Sequence, residues 1–206
     1  MFAKVLLALV ITLSPTYALA DNITFDAFNE FPMNPGAHIE GLFTYQLSVG
    51  NAWNLSNSFG NPVSGLVTIA GDVAGSTLDI FLTAGGLFTF NRFDIACAAC
   101  ASNDPPFSLT DPEAVDFIGK NGAATTFTLA NQFSIVNHPT YATINSPSSS
   151  PIDRLQIRIS RAGTGRQVLD NINLTPLPRV SEPSSLLMLI SALASLGVGL
   201  SRTKKK

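Results

Sequence analysis

The sequence predicts an all-β protein, an antiparallel β-sandwich or jelly roll, with an N-terminal signal peptide and one C-terminal transmembrane helix in the precursor. The first observation behind this is strict alternation. Leu155, Ile157 and Ile159 alternate with Arg154, Gln156, Arg158 and Ser160, the period of two expected when one face of a sheet is buried. Phe43, Tyr45, Leu47 and Val49 alternate with Thr44, Gln46 and Ser48, and Leu78, Ile80 and Leu82 with Thr77, Asp79 and Thr83. The second observation is punctuation: Gly60-Asn61-Pro62, Ala74-Gly75-Ser76, Gly85-Gly86, Lys120-Asn121-Gly122 and Ser146 to Pro151 are turn-forming clusters. The third is that no stretch of the body carries a long amphipathic helix.

Less regular runs bring the expected strand count to about ten. They lie at Ile23 to Phe28, Leu66 to Ala70, Leu87 to Ile95, Val115 to Ile118, Thr125 to Leu129, Tyr141 to Asn145 and Val168 to Thr175. Many short strands with frequent turns favour two packed sheets over a parallel sheet with crossover helices. With 206 residues and 46% apolar content, one folded domain is expected. No repeat at a fixed period points to a solenoid.

The net charge of -2 conceals an acidic body between two basic ends. Residues 21 to 180 hold seven Lys/Arg against thirteen Asp/Glu, a balance of -6. Phosphate-backbone binding needs clustered Arg and Lys, so nucleic acid is not an expected partner.

At the N-terminus, Lys4 is followed by the apolar run Val5 to Leu13 and then by Ala18-Leu19-Ala20. This is the layout of a secretory signal peptide of residues 1–20, with signal peptidase expected to cut after Ala20 and leave Asp21 first. Export permits disulfides. The only two cysteines, Cys97 and Cys100, follow a strand-like run and precede Ser102-Asn103-Asp104-Pro105-Pro106, which favours a small structural disulfide over a redox dithiol opening a helix. His38 and His138, each beside loop formers, lack metal-ligand spacing with the cysteines and read as solvated loop residues.

Asp170 shares the parity of Val168, Ile172 and Leu174. If that face is the inner one, the carboxylate needs a partner, because a lone buried charge is costly. A structural calcium held by Asp170 with Asp26 and Glu30 is one answer. Hydrogen bonding to backbone amides, or a β-bulge that turns Asp170 outward, are the others.

The segment Gly50 to Asn61 contains the only Trp among amides and hydroxyls. Trp53 could stack on a sugar ring while Asn51, Asn54 and Asn57 orient it, or it could anchor the loop to the core. No Ser-His-Asp set, helical His pair, phosphate-cradling loop or dinucleotide fingerprint is present, and no carboxylate pair for glycoside hydrolysis can be chosen from sequence. A noncatalytic protein is expected, with a secreted carbohydrate-active hydrolase as the alternative.

Beyond the spacer Thr175-Pro176-Leu177-Pro178-Arg179, residues 184–200 are apolar apart from small Ser and Gly, and residues 201–206 end in Arg202, Lys204, Lys205 and Lys206. Seventeen such residues lie at the short limit for a membrane span. The positive-inside bias leaves the basic tail cytoplasmic and the body on the exported side.

Val180-Ser181-Glu182-Pro183-Ser184, the apolar helix and the basic end together resemble the PEP-CTERM sorting signal of exported proteins in Gram-negative, exopolysaccharide-making bacteria. Ser181 stands where that signal usually has its first proline. The same terminal segment also goes by an ice-binding C-terminal name, which describes the tag only. The resemblance implies an exosortase in the inner membrane that cuts near Glu182-Pro183 and passes the body to the cell surface or extracellular matrix.

The body also resembles those that precede this signal, in Phe93-Asp94-Ile95 after a Gly-Gly turn, in a middle strand entering Gly119 and in Leu169-Asp170-Asn171-Ile172. Such bodies resemble jelly-roll carbohydrate-binding modules, which implies a noncatalytic role with exopolysaccharide as a partner. The expected organisation is a signal peptide over residues 1–20, a β-sandwich over 21–175, and a spacer with its sorting signal over 176–206.

Overall fold

The computed structural model describes residues 19–25, 36–50, 53–55, 66–68, 74–98, 112–135, 140–163 and 165–178. Twelve strands lie among them, in chain order β1 (Asp21–Ile23), β2 (His38–Glu40), β3 (Phe43–Val49), β4 (Trp53–Leu55), β5 (Leu66–Thr68), β6 (Thr77–Leu82), β7 (Phe88–Ala98), β8 (Ala114–Asn121), β9 (Ala124–Gln132), β10 (Ala142–Asn145), β11 (Arg154–Arg161) and β12 (Arg166–Pro176). They form two six-stranded sheets. The first runs β10-β7-β12-β5-β4 with β1 also paired to β12, and the second runs β2-β3-β6-β11-β8-β9. Every named strand pair is antiparallel. The all-β sandwich predicted from alternation is therefore the fold.

Only three consecutive strand pairs, β2-β3, β4-β5 and β8-β9, are hairpin neighbours within one sheet; the other connections pass between sheets. The core is thus built from residues far apart in sequence. Phe88, Phe90, Phe93, Ile95, Leu169, Ile172 and Leu174 of the first sheet meet Phe43, Tyr45, Leu78, Ile80, Phe117, Leu155 and Ile157 of the second. Rings interlock across the gap: Phe93 stacks on Phe117 at 3.9 Å between centroids, and Phe43 meets Phe88 edge-on at 5.2 Å. Such aromatic contacts add to area burial. The ring of Phe127 lies against Gly119 of the adjacent strand, where an added Cβ would come within 2.5 Å of ring carbon Cδ1, so that position has room only for glycine.

Two expectations are corrected, and a third question is decided. His38, read as a solvated loop residue, is a β2 residue only 7% exposed, its ring stacked on Tyr45 at 5.4 Å. Its partner lies directly across the β2-β3 hairpin, a contact that Gly36-Ala37 beside it gave no sign of. Trp53 and Asn54, placed in a loop, belong to the edge strand β4. For Asp170 the structure shows the β-bulge alternative, in which the residue faces outward. On β12, Leu169 belongs to the main core and Val168 to a small separate cluster with Ala96 and Tyr141, so Val168 and Asp170 face outward. The pairing with β7 slips between Asp170 and Asn173, where Asn171 takes φ 47. That inserted residue returns Ile172 and Leu174 to the core, as a bulge does.

Two carboxylates tie the first sheet to the second at the β1 end. Glu40 accepts hydrogen bonds from Thr24 N (2.7 Å), Thr24 Oγ1 (2.7 Å) and Phe25 N (3.0 Å). Phe25, at φ 57, is fully buried with its ring edge-on to Tyr45 at 5.2 Å. Asp21 Oδ2 accepts from Leu42 N at 3.0 Å beside Gly41, whose φ of 58 is cheap only without a side chain. Strand β1 thus begins at Asp21, with Leu19 and Ala20 exposed before it.

Candidate functional site

The outer face of the first sheet is where neutral polar side chains converge. Alternation with the buried Phe88 and Phe90 turns Thr89 and Asn91 of β7 outward. Alternation with Ile172 and Leu174 does the same for Asn173 and Thr175 of β12, and pairing with β12 places Asn22 of β1 beside Asn173. These groups form a ladder: Asn91 Nδ2 donates to Asn173 Oδ1 (2.7 Å) and Thr175 Oγ1 (2.8 Å), and Asn173 Nδ2 donates to Asn22 Oδ1 (2.6 Å). The row crosses three strands. With a strand spacing of about 4.8 Å it runs about 10 Å from β7 to β1.

A second row lies beyond the bulge. Asp94 Oδ1 accepts from Thr143 Oγ1 of β10 (2.6 Å) and its Oδ2 from Asn171 Nδ2 (2.9 Å). Asp170, opposite Asp94 in register and 4% exposed, accepts from Asn171 N at 2.7 Å. Past it, half-buried Tyr141 rests on Ala96 and Val168. The face therefore carries a tyrosine at one end and amides with hydroxyls at the other.

Next to the ladder, Ser146 to Pro151 connects β10 to Ile152. Ser146 N donates to Asn91 O (2.7 Å), and Ile152 exchanges two backbone hydrogen bonds with Phe88 (2.8 and 2.9 Å). Phe90, Asn91, Ser146, Pro147, Ser148 and Ser149 line an open cleft of about 250 Å³.

The outer face of the second sheet has a different character, a charged lattice already satisfied within itself. Arg158 Nη2 donates to Asp116 Oδ2 at 2.6 Å, Asn131 N donates to Asp116 Oδ1 at 2.8 Å, and Asp79 accepts from Gln156 Nε2 at 2.8 Å with Arg154 at 3.6 Å. Burial raises the Asp116 pKa, but the hydrogen bonds from Asn131, Arg158 and Ser160 and the Arg158 charge outweigh it, so the carboxyl sits below its ordinary value.

Among residues singled out from sequence, Asn54 pairs with Val67, which pairs with the outward Val168, while Trp53 pairs with Thr68. Asn51, Asn57, Asp26, Glu30, Cys100, Ala18 and the sorting motif Val180 to Ser184 lie outside the described residues, as does the span 184–200. Asp170 is therefore the one described member of the expected calcium set. No group of three or more metal-binding side chains occurs among the described residues, and no helix there is long and apolar enough to cross a membrane. Cys97 is fully buried on β7 and is not a free thiol.

Asn91 was not singled out from sequence, and Asn22, Asn173 and Thr175 stand out there only as members of the short glycosylation patterns Asn22-Ile23-Thr24 and Asn173-Leu174-Thr175, not as a ligand surface. Their alternation with Ile23, Phe88, Phe90, Ile172 and Leu174 marks them as outward residues, but nothing local says that their strands are neighbours.

No protein-family model matches the chain, and no curated protein matches it in sequence. Among solved structures, it is similar to a family 32 carbohydrate-binding module from C. perfringens NanJ in complex with galactose, at 14% identity over 75% of this chain and 99% of that one, with a TM-score of 0.42. It is also similar to CBM29_1, a family 29 carbohydrate-binding module from Piromyces equi, at 10% identity over 81% of this chain and 96% of that one, TM-score 0.41. A point mutant of a family 29 module gives 12% identity, 77% and 91% coverage and a TM-score of 0.41.

Proposed function

We propose that this chain is an exported, noncatalytic surface or matrix protein whose β-sandwich binds a polysaccharide on the outer face of the first sheet. The observation that carries this reading is the neutral ladder Asn91-Asn173-Asn22 with Thr175. Sugar hydroxyls both donate and accept, and amides fixed by one another present matching groups at little entropic cost. Tyr141, half-buried at the far end of the same face, offers a ring edge or face to the apolar side of a sugar.

Hydrolysis needs two accessible carboxylates flanking the scissile bond. The two that face each other on this surface, Asp94 and Asp170, are held by Thr143 and Asn171, and Asp170 is buried. This favours binding over cleavage. In this reading signal peptidase frees the exported chain of residues 1–20, and an exosortase acting near Glu182-Pro183 hands it from the inner membrane to the cell surface. The test is a glycan array probed with the full chain in a non-glycosidic detergent, alongside a reducing-sugar assay. Retention of glycans without sugar release is expected; release abolished by replacing one carboxylate would establish the hydrolase alternative instead.

A further inference from the structure

The cleft beside the ladder differs from the rest of the face in being walled by a loop that is fixed before any ligand arrives. Ser146 N is bonded to Asn91 O at one end, and Ile152 is bridged to Phe88 at the other. Within the loop Ser146 Oγ donates to Ser148 O (2.8 Å), Ser148 N to Ser146 Oγ (3.3 Å), and Ser150 N to Ser148 Oγ (3.0 Å). Pro147 and Pro151 stiffen it further. Preorganisation of this kind removes the ordering cost that a flexible serine loop would impose on binding.

The lining is chemically selective. Phe90, Asn91, Ser146, Pro147, Ser148 and Ser149 include no charged side chain, so an acidic sugar entering here would lose water around its carboxylate without gaining a cation. The body outside the cleft has an acidic balance, which also repels anions. Another cleft, of about 310 Å³ at Ala74, Gly75, Arg158, Ile159 and Ser160, has its guanidinium engaged by Asp116. Asn91 belongs to both the first cleft and the ladder, so a ligand seated between the serines continues directly over Asn173 and Asn22.

We infer that the Ser146–Ser149 cleft is the end subsite of the glycan surface, and that it takes an uncharged, hydroxyl-rich sugar residue of a chain lying along the ladder from β7 to β1. The inference rests on the carbohydrate-binding reading above and adds a location, a direction and a charge class to it. Ser149 is the residue to change, since it is exposed and makes no hydrogen bond of its own to the loop.

The experiment is calorimetric titration of the full chain, in a non-glycosidic detergent, with a mannose hexasaccharide, a glucose hexasaccharide and a galacturonate hexasaccharide. The native chain is expected to bind at least one neutral hexamer, with the galacturonate hexamer weaker. Ser149→Leu, which fills the cleft, is expected to weaken that binding about tenfold with an unchanged melting temperature, and Ser149→Ala to weaken it less. Undiminished binding by Ser149→Leu, together with weakened binding by Asn22→Ala, would place the sugar on the ladder but outside the cleft, overturning this inference alone. Preference for the galacturonate hexamer overturns the charge class. No heat from any hexamer and no retention on the glycan array overturns both this inference and the reading beneath it.

Discussion

Replacing Glu40 with alanine tests the tie between the sheets and its bearing on the face proposed for binding. Its carboxylate accepts from two backbone amides and one hydroxyl, at 2.7, 3.0 and 2.7 Å. Alanine leaves both amides without that acceptor and releases Phe25 from the contact that holds it at φ 57. A hydrogen bond to a charged group contributes about 1.5–3 kcal/mol when buried, and an orphaned donor costs about 1–3 kcal/mol. Glu40 is half-exposed, so water recovers part of this, and the lower end of each range gives a loss of about 2–3 kcal/mol in all. For a folded body of roughly 150 residues this corresponds to a fall in Tm of about 4–12 °C. Glu40→Gln keeps one carbonyl acceptor and should fall about half as far. Scanning calorimetry on the two variants reads this directly, and glycan binding should weaken in parallel because β1 carries Asn22. A Glu40→Ala chain melting within about 1 °C of the parent would refute the reasoning.

Asp116 sets an acid limit on stability. Its pKa is lowered in the folded state, so its contribution is present above the unfolded value of about 3.9 and is lost as pH falls through the folded value. Melting measured from pH 2 to 6 should show a steep acid decline, and Asp116→Asn should melt lower at pH 6 but with a flatter decline below pH 4. At the bulge, Asn171→Gly should melt close to the parent, whereas Asn171→Val, with a branched side chain at φ 47, should lose about 1–2 kcal/mol in denaturant titration. Export with pairing of Cys97 and Cys100 predicts that alkylation of the chain without reductant modifies neither thiol, while alkylation after reduction and denaturation modifies both; intact-mass spectrometry distinguishes them.

Much of the fold was legible because strand chemistry is local. The alternation at Leu155, Ile157 and Ile159 places all three in the core, as does that at Leu78, Ile80 and Leu82. The alternation was less reliable where a partner changed the outcome. Val49 is exposed at the end of β3, and Asp79 and Thr77 are buried although they sit on the polar parity of β6, because Gln156 and Arg154 from β11 cover Asp79. The short strands β2 and β4 went unrecognised, since three residues hold too little pattern to separate a strand from a loop.

The polar face proposed for binding was legible only in fragments. Each of Asn22, Asn91 and Asn173 reads as an ordinary polar position on its own strand. Their hydrogen bonds join residues 82 and 151 positions apart, and no local signal carries strand order across such distances. The cleft loop was recognised as a turn from Ser146 to Pro151, but its role depends on standing beside Asn91.

The sequence alone determined the class of structure, because a period of two, branched and aromatic strand formers and Gly/Pro/Asn punctuation act through neighbours two or three residues away. The expectation of export and sorting likewise rests on linear patterns alone, those of residues 1–20 and 180–206. Tertiary structure decided which way Asp170 faces, since the residue inserted at Asn171 shifts the parity of everything after it. It decided as well that His38 is buried against Tyr45 and that three distant amides form one surface, because both depend on which strands are neighbours and on how their registers align.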